Sequence, residues 1–227
     1  MPKSIQIAAD ALRSPLSHLR PAAVRGDTGL RAAELPNLGY IVLRGRQDDG
    51  VFLDAVAAVL GAPLPRKPRS TVRCAAGVVL WQSPDEWWLL CARADRDALV
   101  QALEQALQGC FAQVADNSGG FTSLRLQGAA HQRLLNHLSP YDFDQLGVGQ
   151  CVSTVLSKAT FTVLRTDEQG VTLVFRRSFA GYIWQLIERT AVPYGLQLTD
   201  AKSCSDAWLA PLLADGKKAT RVQPSFA

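Results

Sequence analysis

Few residues of this chain have types and spacings that could do chemistry: three histidines, two Asp-Glu pairs, one Asp-x-Ser step and one Gly-x-Gly. A metal would need converging ligands, yet His18 is remote from the others. His131 and His137 stand six positions apart, which on a helix advancing about 100° per residue puts them on different sides. Surface or capping roles are expected. Asp85-Glu86 and Asp167-Glu168 fall in the turn-forming sequences Ser-Pro-Asp-Glu and Thr-Asp-Glu-Gln-Gly. Acid–base work needs a carboxyl raised by burial or a like-charged neighbour, so these are expected to be solvated turn tips. Asp116 of Asp-Asn-Ser precedes Gly119-Gly120 and is expected to accept hydrogen bonds from backbone donors of that turn. Gly147-x-Gly149 lacks the third glycine and following helix of a dinucleotide fingerprint, and neither a P-loop nor an H-E-x-x-H motif is present. The expectation is therefore no catalytic, no cofactor-binding and no metal-binding residue on this chain, and no flavin held by it alone.

The elements that must position these residues are read from period and punctuation. Residues 1–39 mix Pro2, Pro15, Pro21 and Pro36 with short apolar groups such as Leu16 and Leu19, and read as an extended arm whose apolar residues meet a partner. A short strand is expected over 40–44. A helix over 54–60 should bury Val51, Phe52, Ala55, Val59 and Leu60 and stop at Gly61 and Pro63. Residues 77–81 and 87–91 are apolar runs around Ser-Pro-Asp-Glu, a type I turn that predicts a hairpin. Within it Trp87 and Trp88 must face opposite ways. Both are expected to be core aromatics of a sheet covered on its two faces; in the alternative one ring meets a partner, with Trp88 core-facing and Trp87 toward the partner.

Asp95 is expected to cap a helix through Leu107 that Gly109 ends, followed by strands over 111–115 and 121–126 and a helix over 129–138. Strands over 152–156, 160–165 and 171–176 come next. Ser178 is expected to cap a helix to about residue 190 with Phe179, Ile183, Leu186 and Ile187 inward, before a closing strand over 194–198. Strands with a covering helix thus occur twice, in an α+β chain. The expected layout is an arm (1–39), a folded region (40–200, in two units of about 40–116 and 117–200) and a tail (201–227) with one short helix around Trp208 and Leu212.

Composition bounds the function classes. The 227 residues are 48% hydrophobic and 19% charged, with net charge +4, values of a packed globule. The excess charge lies in Arg66, Lys67 and Arg69 and in Lys217, Lys218 and Arg221, too mild and scattered for a nucleic-acid surface. No apolar run approaches the roughly 20 residues of a membrane span, and Lys3, Asp10 and Arg13 interrupt any secretory core. Cys74, Cys91, Cys110, Cys151 and Cys204 form no C-x-x-C pair, which suits reduced thiols in a cytoplasm.

Certain phrases in order, VVLWQSPDEWWLL, DNSGGFTSLRLQG and GVTLVFRRSFAGYIWQLIE, resemble the gamma subunit of heterotetrameric sarcosine oxidase, best over residues 80–198. The resemblance implies the folate-binding fold of the glycine-cleavage T-protein, without that protein's C-terminal barrel. It implies an accessory, assembly role in a complex that oxidises sarcosine to glycine and passes a one-carbon unit to tetrahydrofolate. FAD, FMN, NAD and the folate chemistry would then reside on alpha and beta partner subunits, and zinc on a delta subunit. Related complexes act on N-methylglutamate, and a lone folate-dependent transferase or a folate-sensing module are the rival readings.

Overall fold

The computed structural model describes residues 14–20, 29–204 and 206–213. Its eleven strands form two sheets. The five-stranded sheet takes β2 (Leu38–Arg44), β3 (Thr71–Cys74), β4 (Gly77–Ser83), β5 (Glu86–Ala92) and β6 (Gln113–Asp116), in the order β3-β4-β5-β2-β6. The six-stranded sheet takes β1 (Leu30–Glu34), β7 (Phe121–Gln127), β8 (Gln150–Leu156), β9 (Ala159–Arg165), β10 (Gly170–Arg176) and β11 (Leu196–Leu198), in the order β11-β1-β7-β10-β9-β8. Helices α1 (Gly50–Leu60) and α2 (Arg96–Ala106) cover the first sheet, while α3 (His131–Leu138) and α4 (Ala180–Thr190) cover the second. The sheets' other faces meet through Tyr40, Leu80 and Leu90 on one side and Leu164 and Val174 on the other. The result is an α+β arrangement in four layers, helices outside and sheets inside.

The region read as an arm contains β1, which lies between β11 and β7, parallel to the first and antiparallel to the second. Leu30 and Ala32 point to the helix side and Leu35 into the space between the sheets, so this segment meets its own chain. Leu16 is also buried in this chain's core. Residues 1–13 and 21–28, the remainder of the expected arm, lie outside the described residues.

Helix α1 starts earlier than its apolar run suggested, because Asp49 Oδ1 accepts from Phe52 N at 3.2 Å and caps the first turn. The buried set is Phe52, Val56 and Leu60, one side at four-residue spacing, which leaves Val51 71% exposed. Gly61 closes the helix at φ 70°, a left-handed position that glycine takes at least cost.

The hairpin forms as β4 and β5 around Pro84-Asp85, and both tryptophans are covered within this chain as expected, with Trp87, not the Trp88 of the alternative, the more deeply buried ring. Trp87 is fully buried beneath α1, 5.7 Å from the Phe52 ring, and its Nε1 donates to Pro65 O at 2.7 Å. Trp88 faces the second sheet, its ring 4.8 Å from that of Phe121. Both faces of the hairpin are therefore covered within one chain.

Two expected caps are absent: Asp95 makes no side-chain cap bond, and Ser178 lies in a 3-10 turn (Arg177–Phe179) ahead of α4. Phe179 is half-exposed, and Ala180, Ile183, Trp184 and Ile187 form the inward side. Phe111, expected in a strand, precedes β6 and is 90% exposed. The tail's short helix is α5 (Ala210–Leu213), led in by Leu209, which is buried between the sheets.

Candidate functional site

The chain passes between the sheets twice in its folded body, from β1 to β2 through residues 35–37 and from β6 to β7 through residues 117–120. The Asp-x-Ser step is the second crossing. Asp116 Oδ1 accepts from Ser118 N at 2.9 Å, and Oδ2 lies 3.3 Å from Arg96 Nε. Ser118 Oγ accepts from Tyr40 N at 2.9 Å, while Tyr40 O accepts from Asn117 N at 2.8 Å. The turn at the glycines is closed by Gly120 N donating to Asn117 O at 2.8 Å. The Asp116 acceptor thus serves the serine amide, not the glycines, and the motif ties the second crossing to β2.

A cavity of about 260 Å³ opens where the crossings meet, walled by Arg93, Arg177, Tyr40 and Ser118 over Leu38 and Phe121. Burial pushes the Tyr40 hydroxyl well above the usual tyrosine range, so it stays protonated, paired at 2.7 Å with Ser123 Oγ.

Asp85 and Glu168 are exposed in their turns, as expected, whereas Glu86 and Asp167 are partly buried and held by partners. Glu86 pairs with Arg44 and accepts from Trp88 Nε1 at 2.7 Å. Asp167 takes both its oxygens to Arg125 Nη2 at 2.7 Å, and Glu168 pairs with Arg165. Arg125 is wholly buried, and its Nη1 lies 3.4 Å from the equally buried Asp206. Neither Arg125 nor Asp206 stood out as a charge site, although an arginine between Leu124 and Leu126 in a buried strand was a signal that it must have a partner.

His131 and His137 lie apart, as their spacing required. Nδ1 of His131 is 2.8 Å from Gly128 O and therefore carries its proton; burial first, then Arg165 and Arg125, lower its pKa. His137 Nε2 meets Tyr194 OH at 2.8 Å. Gly147 N donates to Gln150 Oε1 at 2.9 Å and Gly149 N to Arg165 O at 2.8 Å, so the Gly-x-Gly amides serve a local turn. Among the described residues no group of three or more His, Cys, Asp or Glu side chains could hold a metal ion. Cys91 and Cys151 are buried thiols pushed up to about 12, and Cys204 to about 11.

Residues 44–193 match the family described as "Sarcosine oxidase, gamma subunit family". The chain belongs to the sarcosine oxidase gamma subunit family. A curated relative, sarcosine oxidase subunit gamma of Corynebacterium sp. (strain U-96), is 31% identical over 173 residues, 74% of this chain and 83% of the relative. Among solved structures, a chain of the heterotetrameric sarcosine oxidase from Corynebacterium sp. U-96, in complex with pyrrole 2-carboxylate, superposes with TM-score 0.69 at 28% identity, covering 79% of this chain and 94% of that one. The glycine cleavage system aminomethyltransferase T from Bartonella henselae superposes with TM-score 0.58 at 13% identity, covering 76% of this chain and 48% of that one, a likeness of fold alone. In this gamma-family chain, an accessory subunit, Asp116 and Ser118 tie a crossing to β2, Glu86 and Asp167 pair with arginines, and the Gly-x-Gly amides serve a turn.

Proposed function

We propose that this chain is the gamma subunit of a heterotetrameric sarcosine oxidase and serves assembly of the complex, not its chemistry. The observation that carries the reading is the superposition over 94% of a chain from such a heterotetramer. In this reading alpha, beta and delta subunits are the partners. The larger two hold FAD, FMN and NAD and pass the one-carbon unit to tetrahydrofolate, and the delta subunit holds zinc. Five unpaired cysteines support a reducing cytoplasmic setting, and among the described residues no helix is long and apolar enough to cross a membrane.

Purification from native cells tests this. The chain is expected to co-elute with yellow flavoprotein chains that turn over sarcosine, and to be colourless after desalting when expressed alone. A stoichiometric flavin spectrum on the isolated chain, or a lone monomer acting on a folate substrate, would overturn the proposal. Turnover of N-methylglutamate in place of sarcosine would move the complex to the related dehydrogenases.

A further inference from the structure

We infer that the outer edge of β8 receives an extended, acidic segment of a partner subunit as a further strand of the six-stranded sheet, an inference that rests on the gamma-subunit reading. β8 is the last strand of its sheet and forms a ladder on one side only, with β9. Cys151 N turns away from β9 and donates to Arg69 O at 2.8 Å. Antiparallel pairing alternates every second residue, so Ser153 and Val155 turn their N–H and C=O groups the same way. The turn over residues 67–70 ends the cover after Cys151: Pro68 has no N–H to offer, and Ser70 N closes the turn on Lys67 O at 3.1 Å. Among the described residues nothing pairs with the outward backbone groups of Ser153 and Val155, and both residues are exposed. Unpaired main-chain donors and acceptors along an edge are a template for another strand.

Charge and shape set the occupant. Arg66, Lys67 and Arg69 are exposed in or beside the turn at one end of this edge, and Lys158 is exposed in the hairpin turn at the other. Among the described residues none of the four is in an ion pair. Arg69 Nη1 donates instead to the neutral hydroxyl of Tyr141 at 2.7 Å. A second copy pairing edge to edge about a two-fold axis would set Lys158 of one chain against the basic turn of the other, and like charges oppose it. An acidic strand is attracted at both ends. On the face between the sheets, Ser153 and Val155 border a groove of about 370 Å³ whose other walls include Trp88, Phe121 and Val174. Side chains of an added strand alternate between faces, so this groove takes an apolar side chain of the segment.

Amide hydrogen exchange on the assembled complex tests this, with the partner subunits co-expressed and recovered through a tag on this chain. The amides of Ser153 and Val155 are expected to exchange rapidly in the isolated chain and about tenfold or more slowly in the complex. Val155→Pro removes one outward donor and leaves the β8–β9 ladder intact; recovery of partner chains should fall about tenfold or more, the scale of a lost main-chain hydrogen bond. Val155→Thr keeps the donor and should recover them as the wild type does. Lys158→Glu should weaken recovery, as should added salt with the wild type. Melting of each isolated variant checks its folding, and exchange in the wild-type complex decides the matter without any variant. Wild-type assembly with both amides unprotected, or undiminished recovery by a folded Val155→Pro, would overturn the edge as the docking site. Protection appearing in the isolated chain as its concentration rises would make the occupant a second copy and overturn the acidic partner. A wild-type chain that recovers no partner would overturn the gamma-subunit reading, and this inference with it.

Discussion

Arg125 in β7 and Asp206 ahead of α5 lie 81 residues apart and meet as a fully buried ion pair. Asp206 Oδ2 also accepts from Thr172 Oγ1 at 3.0 Å, while Oδ1 accepts from Trp208 N and Leu209 N at 2.9 and 3.1 Å. One carboxylate therefore neutralises a buried arginine and caps the turn that inserts Leu209 between the sheets. Asp167 shares the guanidinium from the β9–β10 turn. The C-terminal segment is fixed by charge as well as by apolar contact.

Asp206→Ala should accordingly destabilise the chain by about 3–5 kcal/mol, the usual cost of breaking a buried pair by removing one partner. Urea unfolding measures it. Asp206→Asn keeps an acceptor for the two amides and should cost less. Limited proteolysis should cut the alanine variant first beyond residue 198. Equal losses in the two variants would mean that the charge, not the cap, carries the effect.

The tryptophans give a second test. Trp87→Ala removes a ring buried against Phe52 and a donor to Pro65 O, and should cost about 3–5 kcal/mol. Trp88 is only partly buried, so Trp88→Ala should cost less. Chemical denaturation of both variants decides the order, and a larger loss at Trp88 would contradict the packing.

That assignment was not legible in the sequence for a definite reason. Trp87-Trp88-Leu89-Leu90-Cys91 is apolar at every position, so strand alternation has no phase until a helix covers one face. The hairpin itself was legible, since Pro84-Asp85 specifies a turn locally. Strand β1 was hidden because Ala32 and Ala33 lack the branched or aromatic side chains that mark strands. At the crossing, Asp116-x-Ser118 announced a turn, but its bond to Tyr40 spans 78 positions, and Asp206 finds Arg125 across 81. Neither pairing leaves a local period.

Thiol titration provides a third prediction. Burial raises Cys91 and Cys151 to about 12 and Cys204 to about 11, from an ordinary value of 9.0. Against a disulfide reagent at pH 8, only the half-buried Cys74 and Cys110 should react before denaturation, and all five after it. The unfolded chain ionises these thiols near pH 9 while the fold keeps them neutral. Stability should therefore fall as pH rises from about 9 toward 12. Rapid native labelling of more than two cysteines would show that the buried three are accessible.

His131 predicts the opposite, acidic edge. Its ring is 4% exposed, with Nδ1 held by Gly128 O. Burial lowers its pKa from 6.5, and Arg165 and Arg125 push the same way against the Gly128 bond and Asp167. The unfolded chain takes up a proton near pH 6.5 while the folded chain does not. The stabilising difference is thus fully present above pH 6.5 and is lost as pH falls toward the lower folded value. His131→Asn keeps a donor for Gly128 O but cannot titrate in this range. The variant should lose some stability at pH 7.5, where the packed ring is gone, yet show a shallower decline between pH 6.5 and 5. Urea midpoints across that range measure both slopes. Parallel curves for the two proteins would assign the acid sensitivity to other groups.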